Sequence, residues 1–143
     1  MEPALNLIYL EARSLPKLLE DAVRELNKVL LPGEPARATL REKLVVESAD
    51  LPSLLKDWVV ALLNAFYDQQ MLFCRCDIRN LGPRSNRWAG AAQAPWRLEA
   101  EMTGDLIDPL RIRIMPRLTC RRANLAGDDK GCLGDFLLAE NRQ

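Results

Sequence analysis

The sequence predicts a two-layer α+β sandwich, in which two helices pack on a mostly antiparallel sheet. The first observation is a ten-residue phrase that occurs twice, each time with the pattern of an amphipathic helix after a strand-like stretch. The second is a change beyond residue 73 to alternating apolar and polar residues, which is typical of strands with one solvent-exposed face. The 143 residues, 48% hydrophobic and 28% charged, suffice for one core, so we assign residues 1–143 to a single domain.

The repeated phrase is SLPKLLEDAV at residues 14–23 and DLPSLLKDWV at residues 50–59. Each copy opens on a good N-cap residue, Ser14 or Asp50, and has proline in the first turn, where a missing N–H costs little. The strand-like stretches before the two helices are residues 6–12 and 40–47. The apolar faces comprise Leu15, Leu18, Leu19, Ala22, Val23 and Leu26 in the first helix, and Leu51, Leu54, Leu55, Trp58, Leu62 and Phe66 in the second.

The second half of the chain is predicted to add four strands. Period-two alternation covers residues 74–79, 97–102 and 110–114, and a last strand is expected at 135–139. Glycine, proline and aspartate mark the breaks, including a turn at 127–131, and residues 82–95 have no period and predict a long loop. The expected element order is therefore β-α-β-α-β-β-β-β.

Composition limits the chemistry that this chain can perform. It contains no histidine, which removes the commonest general base and the commonest metal ligand, so we expect a protein that is not an enzyme. Its start lacks a signal peptide, and no apolar run approaches the length of a bilayer span. With four cysteines and no secretory signal, the prediction is a cytoplasmic protein with reduced thiols and no membrane association.

Charge is unevenly distributed although the net charge is zero. Residues 69–124 carry ten basic residues, all arginine, against five acidic ones. Clustered arginines can face phosphates or the carboxylates of a partner. They can equally form the solvated face of a sheet, where charged residues occupy alternate strand positions, and we favour that interpretation.

Three smaller groups of residues have alternative interpretations. Cys74 and Cys76, with Cys120 and Cys132 downstream, could form a zinc site, but packed core thiols are the simpler interpretation. Asp128 and Asp129 could bind a hard cation, but aspartate between glycines is also typical of a plain hairpin turn, which is the interpretation we favour. Trp88 in the predicted loop could stack on a base or on a partner surface.

The second phrase and its flanks resemble a known family. Residues 48–63, SADLPSLLKDWVVALL, followed by QMLF at 70–73, are similar to the archease signature, an A-x-D-L-x-x-L-L-x-x-W-L-x-x-L-L helix followed by a G-L-L-F strand. Residues 12–19, ARSLPKLL, resemble the G-x-S-L-x-E-L-F segment that begins the family's first helix. The order and spacing of the two motifs agree over about residues 5–80.

The resemblance implies a function as a helper protein. Archeases activate the GTP- and manganese-dependent RNA-splicing ligase, which joins 2′,3′-cyclic-phosphate and 5′-hydroxyl ends in tRNA splicing or RNA repair. The implied partner is that ligase, with RNA contacted only indirectly, and the chain itself is expected to be a monomer or a weak homo-oligomer. The alternative is a binding module that kept the fold but serves a different protein partner.

The resemblance also implies a small site for a divalent metal, calcium or manganese. The family's H-T-A-D segment falls on residues 2–5, which places Leu5 at the position of the metal-binding aspartate. Its later K-A-V-T-Y-H segment falls on residues 116–121, PRLTCR. The closing aspartate falls near Glu140, and Asn141 offers the next carbonyl, so the implied metal residues are Glu140 and Asn141.

Overall fold

The computed structural model of the chain describes residues 5–31, 37–83, 96–113, 117–128 and 131–141. Helices pack on antiparallel strands throughout this part of the chain, which confirms the predicted α+β class. The elements are β1 (Leu5–Ala12), α1 (Leu15–Leu30), β2 (Leu40–Ser48), α2 (Leu51–Gln69), β3 (Met71–Pro83), β4 (Trp96–Leu106), α3 (Pro109–Arg113), β5 (Arg117–Asp128) and β6 (Gly131–Asn141).

The two long helices begin where the repeated phrase predicts. The Ser14 side chain accepts a hydrogen bond from the Lys17 backbone N–H at 3.3 Å, and the Asp50 carboxylate accepts one from the Ser53 N–H at 2.8 Å. Each bond satisfies a backbone donor that the first turn leaves without an intrahelical partner. Helix α2 ends at Gln69 and is followed by the C-cap residue Gln70, whose φ of 54° is the left-handed conformation common at helix C-termini.

The described strands form two sheets instead of one. Sheet A has the strand order β1-β6-β5 and sheet B the order β2-β4-β3, with every neighbouring pair antiparallel. The division arises because the strand before each long helix pairs with the second strand of a different hairpin. Strand β1 joins the β5–β6 hairpin and β2 joins the β3–β4 hairpin.

The internal repeat has a structural counterpart. Helix α1 follows β1 of sheet A but packs against β3, an edge strand of sheet B. Helix α2 follows β2 of sheet B but packs against β5, the corresponding edge strand of sheet A. The two halves thus correspond: each long helix packs most closely on an edge strand of the sheet to which its own preceding strand does not belong, and it also contacts its own sheet.

The core lies between the helices and the two sheets. Trp58 is fully buried, and its indole N–H donates to the Leu19 carbonyl at 3.0 Å, which joins α2 to α1. Asn27 ties α1 to sheet B by donating its amide to the Phe73 carbonyl. The largest fully buried side chains come from both helices and from β4 and β6: Trp58, Phe66, Phe136, Leu18, Leu19, Leu26, Leu54, Leu55, Leu98, Met102, Leu138 and Val59.

The strand predicted at 110–114 is wrong. Residues Pro109–Arg113 form the short helix α3, and Ile114 lies outside the described residues. The Asp108 carboxylate accepts a hydrogen bond from the Leu110 N–H at 3.0 Å, and proline suits a first helical position. Five residues are too few to distinguish period two from the turn of a helix, and the strand that completes the sheet is β5 at Arg117–Asp128.

The predicted loop at 82–95 lies largely outside the described residues, and the described helices can be checked for a membrane span. Residues 82 and 83 belong to β3, while residues 84–95 of the predicted loop, including Trp88, lie outside the described part of the chain. In the ranges that the structure describes, no helix combines the length and apolar character needed to cross a membrane.

Candidate functional site

Three segments that are far apart in the sequence meet at one end of sheet A. Leu5 at the start of β1 lies opposite Ala139, and on the other side of β6 Leu118 lies opposite Glu140. Arg117 pairs with Asn141 in the same ladder. The described parts of the segments at 2–5 and 116–121 are therefore brought together with Glu140 and Asn141.

The C-terminal turn of α2 fixes this end of the sheet. The Tyr67 hydroxyl accepts a hydrogen bond from the Leu118 backbone N–H at 2.9 Å. The Arg117 guanidinium lies 4.9 Å from the centroid of the Tyr67 ring and 3.4 Å from the Asp68 carboxylate. These contacts couple the start of β5 to the helix, so the position of Arg117 depends on α2 as well as on the sheet.

Tyr67 was missed as a site residue in the sequence analysis. Burial raises the pKa of the Tyr67 phenol, while the hydrogen bond from Leu118 and the charge of Arg117 act in the opposite direction. The phenol therefore stays neutral at physiological pH and serves as a hydrogen-bonding anchor. Its position beside the apolar face of α2 could have indicated this role. A tyrosine there is partly buried, and a buried hydroxyl usually has a hydrogen-bonding partner.

The predicted metal residues lie at the last two positions of β6. Glu140 is half-buried, and strand alternation places it on the same face as Leu138 and Phe136. Leu5 supplies no side-chain oxygen at the position that the resemblance assigns to a ligand. Within the described ranges no group of three or more histidine, cysteine, aspartate or glutamate side chains could hold a metal ion. A divalent cation usually takes six or more oxygen ligands, so metal binding at Glu140 and Asn141 stays a prediction.

Several of the clustered arginines form ion pairs on the solvent face of sheet B. Arg97 lies 2.8 Å from the Glu99 carboxylate and also pairs with Glu47, and Arg79 lies 2.9 Å from that of Glu101. These guanidinium groups hold the pKa values of Glu99 and Glu101 below their ordinary values. For these residues the arrangement is that of a solvated sheet face.

The four cysteines are free thiols in four different settings. Cys74 is exposed and Cys76 is half-buried, and both line an open groove of about 410 Å³ between α1 and β3. Cys120 is buried and Cys132 is half-buried, and both belong to sheet A. All four residues are described, and they do not form a cluster of metal ligands. The cation alternative at Asp128 and Asp129 involves residue 129, which lies outside the described ranges.

Cys76 is expected to resist alkylation in the folded protein. Burial, together with the negative charges of Glu20 and Asp77, raises the pKa of its thiol to about 12. At pH 8 such a thiol is only about one part in ten thousand thiolate, which is the reactive form. Timed iodoacetamide labelling followed by peptide mass spectrometry should show Cys74 modified long before Cys76. In urea the two should react at similar rates, and equal rates in the native protein would contradict the burial of Cys76.

Comparison with protein-family models identifies the family of this chain. The model of the Archease protein family matches residues 6–117. Comparison with curated proteins gave no significant match. Archeases are RNA-ligase-associated factors, and the family is generally one of non-catalytic accessory proteins. Because the matched region covers most of the chain and contains both copies of the repeated phrase, this protein belongs to the archease family.

Proposed function

We propose that this protein is an accessory factor that activates the GTP-dependent RNA-splicing ligase in tRNA splicing or RNA repair. The observation that supports the proposal is that the described parts of the three segments to which the resemblance assigns the archease site lie at one end of sheet A, in a chain that belongs to that family. The chain acts by protein–protein contact in the cytoplasm, and it meets RNA only through the ligase.

The residues at the end of sheet A would bind and orient the ligase. Arg117 and Glu140 supply one charge of each sign, and Tyr67 holds the adjoining backbone through the Leu118 N–H. A surface that is fixed before binding loses less conformational entropy in the complex, which favours affinity. A divalent ion at Glu140 and the Asn141 carbonyl would add positive charge there, but no step of this proposal requires it.

A second candidate function is a binding module with a different protein partner. The observation that favours it is Leu5, which replaces an acidic ligand of the family with an exposed apolar side chain. Such a module would keep the scaffold, including the Trp58 contact between the helices, while the end of sheet A served another surface.

Direct binding to the cognate ligase distinguishes the two candidates. We expect isothermal titration of the purified ligase with this chain to give a saturable complex, and Arg117→Glu to weaken it because the guanidinium lies at the proposed contact. Arg24→Glu, an exposed helix position away from sheet A, is the matched control and should bind as the wild type does. If the wild type shows no binding, the ligase is not the partner and the second candidate is favoured.

The same calorimetry tests the metal prediction independently of the ligase. Calcium or manganese is titrated into the wild type and into Glu140→Gln. Binding that the substitution removes would place the ion at Glu140. If neither ion binds to the wild type, the implied metal site is absent from this chain.

A further inference from the structure

The two sheets differ in what they present to solvent. On sheet B the outward positions of the three strands are mostly charged, and ion pairs connect Glu47, Arg97 and Glu99 across strands. This face needs no partner to satisfy most of its charges. Its cross-strand rows are Glu47 with Arg97 and Gly82, Val45 with Glu99 and Asn80, Lys43 with Glu101 and Asp77, and Arg41 with Thr103 and Arg75.

The corresponding face of sheet A is largely apolar. Its rows are Leu5 with Ala139 and Thr119, Leu7 with Leu137 and Arg122, Tyr9 with Asp135 and Asn124, and Glu11 with Leu133 and Ala126. We call Leu5, Leu7, Tyr9 and Leu133 the apolar strip. Their side chains are 61%, 41%, 74% and 61% exposed, respectively. Isolated exposed apolar residues are common on monomers, but neighbouring ones on one face indicate an interaction surface.

Beside the apolar strip, β5 carries two consecutive arginines. The register of β5 against β6 shifts between Cys120 and Arg122, so that Arg121 is the extra residue of a bulge. Both arginines are exposed, and neither has an ion-pair or hydrogen-bonding partner among the described residues. The acidic side chain nearest in the rows, Asp135, already accepts a hydrogen bond from Asn124 at 3.1 Å.

We propose that the outer face of sheet A docks a segment of a protein partner that presents apolar side chains flanked by carboxylates. The apolar side chains would cover Leu7, Tyr9 and Leu133, and the carboxylates would pair with Arg121 and Arg122. Tyrosine and arginine are among the residue types enriched at the energetically important positions of protein interfaces, and a guanidinium can bind a carboxylate through two parallel hydrogen bonds. The identification of the partner with the RNA-splicing ligase rests on the function proposed above.

The charges and side chains of the face favour this occupant over two others. A second copy of the chain would bring the same two arginines but only two carboxylates on this face, of which Asp135 is already hydrogen-bonded and Glu11 lies at the far row beside Leu133. RNA would find phosphate contacts at Arg121 and Arg122, but the apolar strip has one aromatic residue, Tyr9, on which a base could stack. Its other three members are aliphatic and suit protein side chains.

The test compares two double variants that change the charge equally. Leu7→Glu with Arg122→Glu alters the outer face of sheet A, and Val45→Glu with Arg75→Glu alters exposed positions on sheet B. We expect the sheet A variant to bind the purified ligase at least about tenfold more weakly than the wild type, and the sheet B variant to stay within about twofold. Tyr9→Ala, at the most exposed residue of the strip, should weaken binding without adding charge.

Four other outcomes overturn the inference. If the wild type and both double variants bind the ligase equally, this face is not the docking surface, while the proposed function stands. If the wild type does not bind the ligase, the proposed function fails and the assignment of the partner fails with it. Sedimentation that shows a wild-type dimer lost in the sheet A variant would identify a second copy as the occupant. A fluorescent single-stranded RNA that binds the wild type and not this variant would identify nucleic acid.

Discussion

Replacement of Trp58 by alanine is expected to lower the free energy of unfolding by about 4 kcal/mol. The side chain is fully buried, and its indole N–H donates to the Leu19 carbonyl at 3.0 Å, so the substitution removes both a large packed volume and a link between the helices. Because the cavity would lie in a core that both helices and both sheets enclose, the surrounding side chains have little freedom to fill it.

Two further variants separate the contributions to this effect. Trp58→Phe keeps most of the apolar volume but removes the indole donor, and we expect it to cost about 2 kcal/mol. Lys56→Ala, at an exposed position of the same helix, should change the stability by less than about 0.5 kcal/mol. Urea unfolding followed by circular dichroism gives all three values. A Trp58→Ala protein within about 1 kcal/mol of the wild type would show that Trp58 does not join the helices.

Gly104→Ala is expected to lower the free energy of unfolding by about 3 kcal/mol, because the backbones of β3 and β4 approach closely at this glycine. It pairs with Leu40 of β2 on one side and with Phe73 of β3 on the other. A Cβ at this position would collide with the Leu72 carbonyl oxygen and would lie 2.9 Å from the Phe73 Cα. Since these are backbone atoms, no side-chain rotation can relieve the clash.

Gly82→Ala is the matched control for this prediction. Gly82 lies in β3 of the same sheet, and a Cβ there meets no atom within 4 Å. We expect the substitution to leave the stability unchanged or to raise it by about 0.5 kcal/mol, because alanine restricts the unfolded chain. Equal destabilisation by the two substitutions would contradict the close approach of β3 and β4 at Gly104.

The helices were predictable because local chemistry determines where they begin. Ser14 and Asp50 each cap a helix that has proline in its first turn. In each helix the cap residue and the proline are close neighbours in the sequence, so a short segment is enough to recognise the start. Strand alternation was equally informative for β4, where Leu98, Ala100 and Met102 are buried. The same alternation failed at Leu110 and Ile112, because a five-residue segment fits a helical turn as well.

The division into two sheets could not be predicted, because strand pairing is a tertiary property. Nothing local to residues 5–12 indicates that β1 pairs with β6, more than a hundred residues away in the sequence. The outer face of sheet A depends on the same pairing, which aligns Leu7, Leu137 and Arg122 in one row. The alternation of charged residues along the strands favours a solvated face for the clustered arginines. That interpretation agrees with the ion pairs of Arg79 and Arg97, whereas Arg121 and Arg122 have no such partners among the described residues.

The candidate site stays a prediction that rests on the positions of the family motifs. Motif positions indicated residues 2–5, 116–121 and 140–141, and the pairings of Leu5 and Glu140 place the described members of these segments at one end of sheet A. The contact of Tyr67 could not be predicted from the sequence, because its partner is a backbone N–H and a tyrosine on a helix indicates only that its hydroxyl needs some partner. The metal residues Glu140 and Asn141 stay predictions, since the described residues around them form no cluster of ligands.

Multiple-turnover RNA ligation tests the central claim most directly. The cognate ligase is supplied with GTP, manganese and an excess of RNA ends bearing 2′,3′-cyclic phosphate and 5′-hydroxyl groups, with and without equimolar wild-type chain. If the chain is an archease that activates this ligase, the product formed per ligase molecule should rise severalfold, and the sheet A variant should give a smaller increase than the sheet B variant. Identical product yields with and without the wild-type chain would contradict the claim.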